Sequence, residues 1–292
     1  MPLQEEERWR YARHLMMPEL GAAAYERLKA ARVLVVGAGG LGSAILYYLA
    51  AAGVGTLGIV DFDIVEHSNL ARQILHTTAD LGRPKVVSAA EKLAALNPHV
   101  RIEQHPVRFT ADNGLDLVSD YDVVVTGIDN FPTRYLLNDA CVLTRKTLVE
   151  GAVLRFLGLA MTIKGGETTC YRCLFPDPPP DYGLICSTEV GVFGPIAGLI
   201  GLVQAAEVLK VAAGFGKPLY DRLLQVDAGT MTFEEAPVER SPACPVCGAS
   251  PSITALHEYA VENERCRRCM AGAVGRPEHW DTSFIDQREP TA

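Results

Sequence analysis

The stretch VLVVGAGGLGSA, residues 33–44, constrains this chain more than any other. A β-branched run empties into glycines and then into helix formers, which predicts a buried strand, a tight turn and a helix whose first N–H groups lack intrahelical partners. Gly37-x-Gly39-x-x-Gly42, with Gly40 inside it, suits a turn that sets that helix N-terminus against a phosphate. The fingerprint alone leaves the chemistry open, because redox dinucleotides and nucleotides that are cleaved use the same device. Asp61 and Asp63 in IVDFD, closing the next strand, are expected of both.

Strands and helical segments alternate through the first half. ARVLVVG, TLGIVDFD, VRIEQHPV and YDVVVTGID read as strands; GLGSAILYYLAAAG, GRPKVVSAAEKLAALNP, ADNGLDLVSD and PTRYLLNDACVLTRK read as the helices between and after them. Continuous apolar strands alternating with helices predict a doubly wound, mainly parallel α/β sheet covered on both faces, a Rossmann-like half over residues 31–146 behind a helical arm over 1–30. After residue 147 TLVEGAV and FLGLAMTI stand almost back to back, so antiparallel strands are expected to continue the sheet. The proline-rich CYRCLFPDPPPDYG predicts a long crossover loop, and RLLQVDAGTMTFEEAPV a hairpin; together they make 147–254 a continuation of the same domain. The tail over 255–292 loses hydrophobic periodicity and is expected to be disordered apart from its cysteines.

Composition narrows the partners. A net charge of −8 disfavours nucleic acid, which demands clustered Lys and Arg. The N-terminus MPLQEEERWRYARHL lacks an apolar secretory core, which points to the cytoplasm. VGVFGPIAGLIGLVQAA, residues 190–206, nears the length of a membrane span, but its glycines, Pro195 and Gln204, with Glu207 and Lys210 beyond, predict a buried core or oligomer-interface helix and no membrane.

Eight cysteines in such a chain suggest metal or thiol chemistry before disulfides. Six form three C-x-x-C pairs, Cys170/Cys173, Cys244/Cys247 and Cys266/Cys269, the spacing that places two thiolates on one edge of a tetrahedral metal. Spacing alone pairs Cys244/Cys247 with Cys266/Cys269, eighteen residues apart, as a local zinc ribbon. Cys141 falls at helical spacing among Tyr135, Leu136 and Leu137 and reads as a core thiol; Cys186 stands alone.

A dehydrogenase has no need of the polar run EHSNLARQ, then GRPKV, then GIDN. Asn69, Arg72 and Lys85 can converge on a triphosphate beyond the C-terminal strand ends, and Asp129 can hold Mg²⁺ against it. Asp63 and Glu66 read as loop solubilisers. GAGGLGS, VDFDIVEHSNLARQ, GRPKV, LNPHV, GIDNFPTRYLLND, CYRCLF and CPVCG, in this order from Arg10 to Gly248, resemble the ThiF/MoeB/HesA family, prokaryotic relatives of the ubiquitin-activating enzymes.

The resemblance implies ATP-dependent adenylation of the C-terminal Gly-Gly carboxylate of a ThiS- or MoaD-like ubiquitin-like sulfur carrier. It implies that Gly40 lies against the nucleotide and that Asp61 takes the ribose. It also implies that Ser68, Asn69, Leu70, Ala71 and Arg72 form the phosphate-contacting segment, with Lys85 on the phosphates, and that Asp129 positions Mg²⁺ beside Asn130. Arg13 in RYARHL matches an arginine that reaches across a homodimer into the neighbouring site; read by itself it is a helix-face ion-pair partner. The family's structural zinc joins Cys170/Cys173 to Cys244/Cys247, against the pairing that spacing suggests, and leaves Cys266/Cys269 as a second metal site, a redox pair or an incidental pair with no such role. Cys186 aligns with a thiol used by some members in sulfur transfer or carrier linkage; its alternative is an inert loop cysteine. No rhodanese-like pattern follows, so the sulfur donor is expected to be a separate protein. Other readings are adenylation of a peptide or modified tRNA on the same fold, an NAD-linked oxidoreductase, and an inactive binding partner.

Overall fold

The computed structural model describes residues 3–177 and 191–259. One sheet of eight strands runs through it in the order β3-β2-β1-β4-β5-β6-β7-β8. The strands are β1 (Arg32–Val36), β2 (Thr56–Val60), β3 (Arg101–His105), β4 (Val123–Thr126), β5 (Thr147–Leu154), β6 (Leu157–Lys164), β7 (Arg222–Asp227) and β8 (Thr232–Pro237). The first five are parallel, the rest antiparallel. Val33, Leu34, Val35 and Val36 of β1 are all buried, as the apolar run predicts for a strand covered on both faces. β3 and β8, at the edges, alternate with or face solvent.

The strand order reverses between β1 and β4, and that crevice at the carboxyl ends is where ligands of open α/β sheets bind. The β5–β6 hairpin pairs Thr147 with Lys164 through Leu154 with Leu157, leaving Arg155 and Phe156 in the turn, one residue beyond the Leu154–Arg155 gap between TLVEGAV and FLGLAMTI.

The Gly40–Ala52 helix leaves the glycine turn, and the long Gly194–Ala213 helix packs across it and onto β5 and β6. Length and composition alone would let that long helix cross a membrane; half of its apolar window is buried inside the fold. Its polar residues are spent on the sheet. Gln204 Nε2 donates to the Thr126 carbonyl at 2.8 Å, and Glu207 Oε2 accepts from Thr162 Oγ1 at 2.5 Å and from the Leu219 N–H at 2.6 Å. The N-terminal arm is docked rather than loose. Tyr11 and Tyr25 sit in the core, and Asn97 Nδ2 donates to Tyr11 Oη at 2.8 Å. The start of the tail is docked too: Ala111 N–H donates to Glu258 at 2.6 Å and Tyr259 hydrogen-bonds Asp139.

Candidate active site

A cavity of about 690 Å³ opens at the switch point. Gly39, Gly40, Arg72, Lys85 and Asp129 form one wall; β5, β6 and residues 171–177 form an apolar extension. The glycine turn requires its glycines. Gly37 has φ +102°, and a Cβ there would lie 2.5 Å from the Gly127 carbonyl oxygen; a Cβ on Gly42 would lie 2.0 Å from the Gly37 oxygen. The close approach of β1, β4 and the helix start presents the first helical N–H groups to the cavity.

Asp61 sits behind this turn. Its Oδ2 accepts from the Ala38 N–H and its Oδ1 from the Asp63 N–H, both at 2.8 Å, and burial pushes its carboxyl above the usual carboxylate range. Lys85 begins the Lys85–Leu96 helix with its side chain buried, and its Nζ lies 3.1 Å from Asp63 Oδ2. Burial alone would depress this ammonium, but Asp61, Asp63 and Asp129 around it hold it above the ordinary lysine value, so it is a fixed cation at neutral pH. Asp63 is therefore the partner of Lys85 and a cavity-lining group, not a loop solubiliser. The Glu66 backbone N–H donates to Asn69 Oδ1 at 3.1 Å, and its side chain is not among those lining the cavity.

The predicted residues divide between the cavity wall and its support. Gly39, Gly40, Arg72, Lys85, Asp129 and Asn130 line the wall; Gly37, Gly42, Asp61, Ser68, Asn69, Leu70 and Ala71 do not. Arg72 Nη1 donates to the Ser68 carbonyl at 3.0 Å, and the Asn69 carboxamide is buried. Asn130 caps the Phe131–Leu143 helix, its Oδ1 accepting from the Thr133 N–H at 3.0 Å. Arg13 is exposed on the short Ala12–Leu15 helix and is absent from the wall. Cys186, Cys266 and Cys269 lie outside the described residues.

Sequence reasoning missed Arg134 and Glu150, which pair with each other in the cavity wall. Arg134 also donates to the Gly151 carbonyl at 2.9 Å and the Ile128 carbonyl at 3.1 Å, and Glu150 accepts from Thr126 Oγ1 at 2.5 Å. For Glu150 the signal was present: it is a lone charge in the apolar run LVEGAVL, and a charge there must find a partner. Gln73, beside the glycine turn, was missed as well.

The four-thiol cluster is separate. Cys170 is the N-cap of the Tyr171–Leu174 turn of helix and Cys173 lies within it, Cys244 and Cys247 follow β8, and their sulfurs lie 3.4–3.8 Å apart where paired. A tetrahedron with metal–sulfur bonds of about 2.3 Å has edges of about 3.8 Å, so the set is compatible with zinc. This corrects the pairing that spacing alone suggested and agrees with the one the resemblance implies: among the described residues Cys244/Cys247 meet Cys170/Cys173. The two loops are brought together by Asp221, whose Oδ1 accepts from the Thr169 N–H and Oγ1 at 2.8 Å each. Cys141 is fully buried, as expected of a core thiol, and burial raises its pKa well above the ordinary range.

A glycine turn at the switch point of a parallel sheet, the cations Arg72, Lys85 and Arg134 with the carboxylates Asp63, Asp129 and Glu150 in one cavity, and an antiparallel continuation define a nucleotide-binding α/β protein with an appended second half-sheet. The chain belongs to the ThiF family, whose model matches residues 11–246. It is 50% identical over 260 residues to a sulfur carrier protein adenylyltransferase of Thermus thermophilus, covering 87% of this chain and 96% of that protein. It is 47% identical over 258 residues to the adenylyltransferase and sulfurtransferase MOCS3 of Sus scrofa and 45% over 261 to the probable adenylyltransferase/sulfurtransferase MoeZ of Mycobacterium tuberculosis. The match covers 88% of this chain in both cases but only 57% and 65% of those longer proteins. The structure of E. coli MccB with ATP shares the fold, with a TM-score of 0.71 at 22% identity over 82% of this chain and 74% of that one.

Proposed function

We propose that this chain is an adenylyltransferase that uses ATP and Mg²⁺ to activate the C-terminal Gly-Gly carboxylate of a ThiS- or MoaD-like sulfur carrier. The observation that carries the reading is that Arg72, Lys85 and Asp129 share one cavity with Gly39 and Gly40. The likeness to the Thermus enzyme over nearly its whole length supports the same chemistry.

In this reading a carrier carboxylate oxygen attacks the α-phosphorus of ATP in line. A new P–O bond forms to the carrier, the bond between the α-phosphorus and the bridging oxygen breaks, and pyrophosphate leaves with that electron pair. Lys85 and Arg72 offset the charge that spreads over the phosphate oxygens, and the glycine-turn N–H groups hold the phosphates in place. Mg²⁺, held by Asp129, would neutralise further charge on the leaving pyrophosphate. The apolar extension over β5 and β6 suits the carrier's extended C-terminus. Arg13 would act in the neighbouring site of a homodimer, and Cys186 in sulfur transfer or carrier linkage, with sulfur delivered by a separate protein. A zinc ion on the four cysteines would be structural, because four thiolates leave no open coordination position.

The test is ATP–pyrophosphate exchange with purified protein, Mg²⁺ and a panel of carriers ending in Gly-Gly, beside Asp129→Ala. Carrier-dependent exchange that disappears in the variant is expected and names the carrier. Saturable ATP binding without exchange for any carrier would point to another carboxylate; absence of ATP binding would sink the nucleotide site.

A further inference from the structure

His76 is buried behind the glycine turn and does not line the cavity, yet it closes a chain of hydrogen bonds that ends on the turn itself. Ala38 is gripped at both of its backbone polar groups, which belong to successive peptide units. Its N–H donates to Asp61 Oδ2 at 2.8 Å, and its carbonyl lies 2.9 Å from His76 Nε2. A carbonyl oxygen only accepts, so Nε2 carries a proton, and in the neutral ring Nδ1 is then the acceptor. The far side of the ring agrees. Nδ1 lies 2.9 Å from Ser88 Oγ, and Ser88 Oγ in turn accepts from Lys92 Nζ at 2.8 Å, which leaves the hydroxyl proton free to be donated to the ring. Lys92 is held by Asp80 Oδ2 at 2.5 Å, and Asp80 by the Thr77 N–H and hydroxyl at 2.7 Å each. With the ring neutral, the ammonium at one end and the carbonyl at the other set the direction of each hydrogen bond between them.

In a trans peptide the carbonyl and the following N–H point in opposite directions. Holding the Ala38 carbonyl toward His76 therefore turns the Gly39 N–H away from the ring, and Gly39 is one of the residues that line the cavity. Gly39 itself, at φ −86° and ψ −142°, has no side chain to hold this peptide, so the restraint has to come from outside the turn.

We propose that His76, in its Nε2–H tautomer set by Ser88 and Lys92, is a positioning residue that orients the Ala38–Gly39 peptide for the nucleotide phosphates. Burial, with Lys85 and Lys92 nearby, pulls its pKa below the ordinary histidine value despite Asp80 and the Ala38 carbonyl, in keeping with a neutral ring. The proposal rests on the nucleotide reading of the cavity.

The experiment is calorimetric titration of the full chain with Mg·ATP, beside thermal unfolding of each protein without nucleotide. Glutamine can set an N–H near the Nε2 position; asparagine reaches only as far as Nδ1. His76→Ala and His76→Asn are expected to weaken ATP tenfold or more, His76→Gln by no more than about threefold, and Ser88→Ala, which keeps the imidazole, by several-fold. The proposal is overturned if His76→Ala binds within twofold of the wild type, or if Gln and Asn lose affinity equally and in step with their unfolding temperatures. Ser88→Ala decides the matter if the His76 variants do not fold: unchanged affinity there overturns it. Wild-type protein that does not bind ATP defeats the nucleotide reading itself, a result distinct from each of these.

Discussion

Arg172 and Asp139 form an ion pair with 3% and 1% of their side chains exposed. Arg172 Nε and Nη2 reach the two carboxylate oxygens at 2.7 and 3.0 Å, while Nη1 donates to the Pro176 carbonyl at 2.8 Å at the root of the crossover. Its guanidinium also lies 4.6 Å from the Tyr135 ring centre. In Arg172→Met the carboxylate keeps only Asn138 Nδ2 at 3.1 Å and the Tyr259 hydroxyl at 2.5 Å, neither of them charged. Removing one partner of a buried pair costs about 3–5 kcal/mol, whereas replacing both by apolar groups is often close to neutral. Arg172→Met is therefore expected to lose that amount in urea unfolding, and ~10 °C in Tm at about 2–4 °C per kcal/mol. Arg172→Met combined with Asp139→Leu should recover at least about 2 kcal/mol of it, since no stranded charge is left. A loss below about 1 kcal/mol in the single variant, or a double variant no more stable than the single, would refute the reasoning.

Lys85→Met removes the cation set among three carboxylates, and carrier-dependent kcat/KM should fall by about 10²–10³, the range for losing one preorganised charge contact; a fall under tenfold would take Lys85 out of the role. Metal analysis should find one zinc per chain, retained in Cys266→Ser/Cys269→Ser and lost in Cys170→Ser together with a lower unfolding temperature. Asp80 is desolvated, yet Lys92 and Thr77 hold its carboxyl well below the ordinary range. A depressed folded pKa adds stability above the unfolded value and loses it as pH falls toward the folded one, so the gap between wild type and Asp80→Asn should narrow below about pH 4. A gap that is flat from pH 7 to 3 would contradict that assignment.

Most of the fold was legible because it is written in local periodicity. The four apolar strands and the helices between them follow from which neighbours are β-branched, which are helix formers and where the glycines stand, and each of those preferences acts over a few residues. The hairpin of β5 and β6 was legible for the same reason, since two strands this close in sequence pair antiparallel, although its turn lies one residue further on than the apolar pattern placed it. Gly37 and Gly42 could be assigned to a turn from spacing, and the structure shows what a side chain at either would strike.

The sites depended on distance along the chain. Lys85 meets Asp63 across 22 residues, Cys170 meets Cys247 across 77, and Tyr259 reaches Asp139 across 120. Spacing preferred the nearer cysteine pair because it counts residues between ligands and knows nothing of the sheet that carries residues 170 and 244 to the same corner. Asp63 looked like a solvated loop residue because nothing within a helical turn of it is basic; its partner arrives on the next helix. The sequence by itself determined the strands, the helices and the glycine turn, since those are set by short-range sterics and burial. Only the tertiary structure decided which charges and thiols meet, because that follows from strand order and helix packing, and no local preference encodes it.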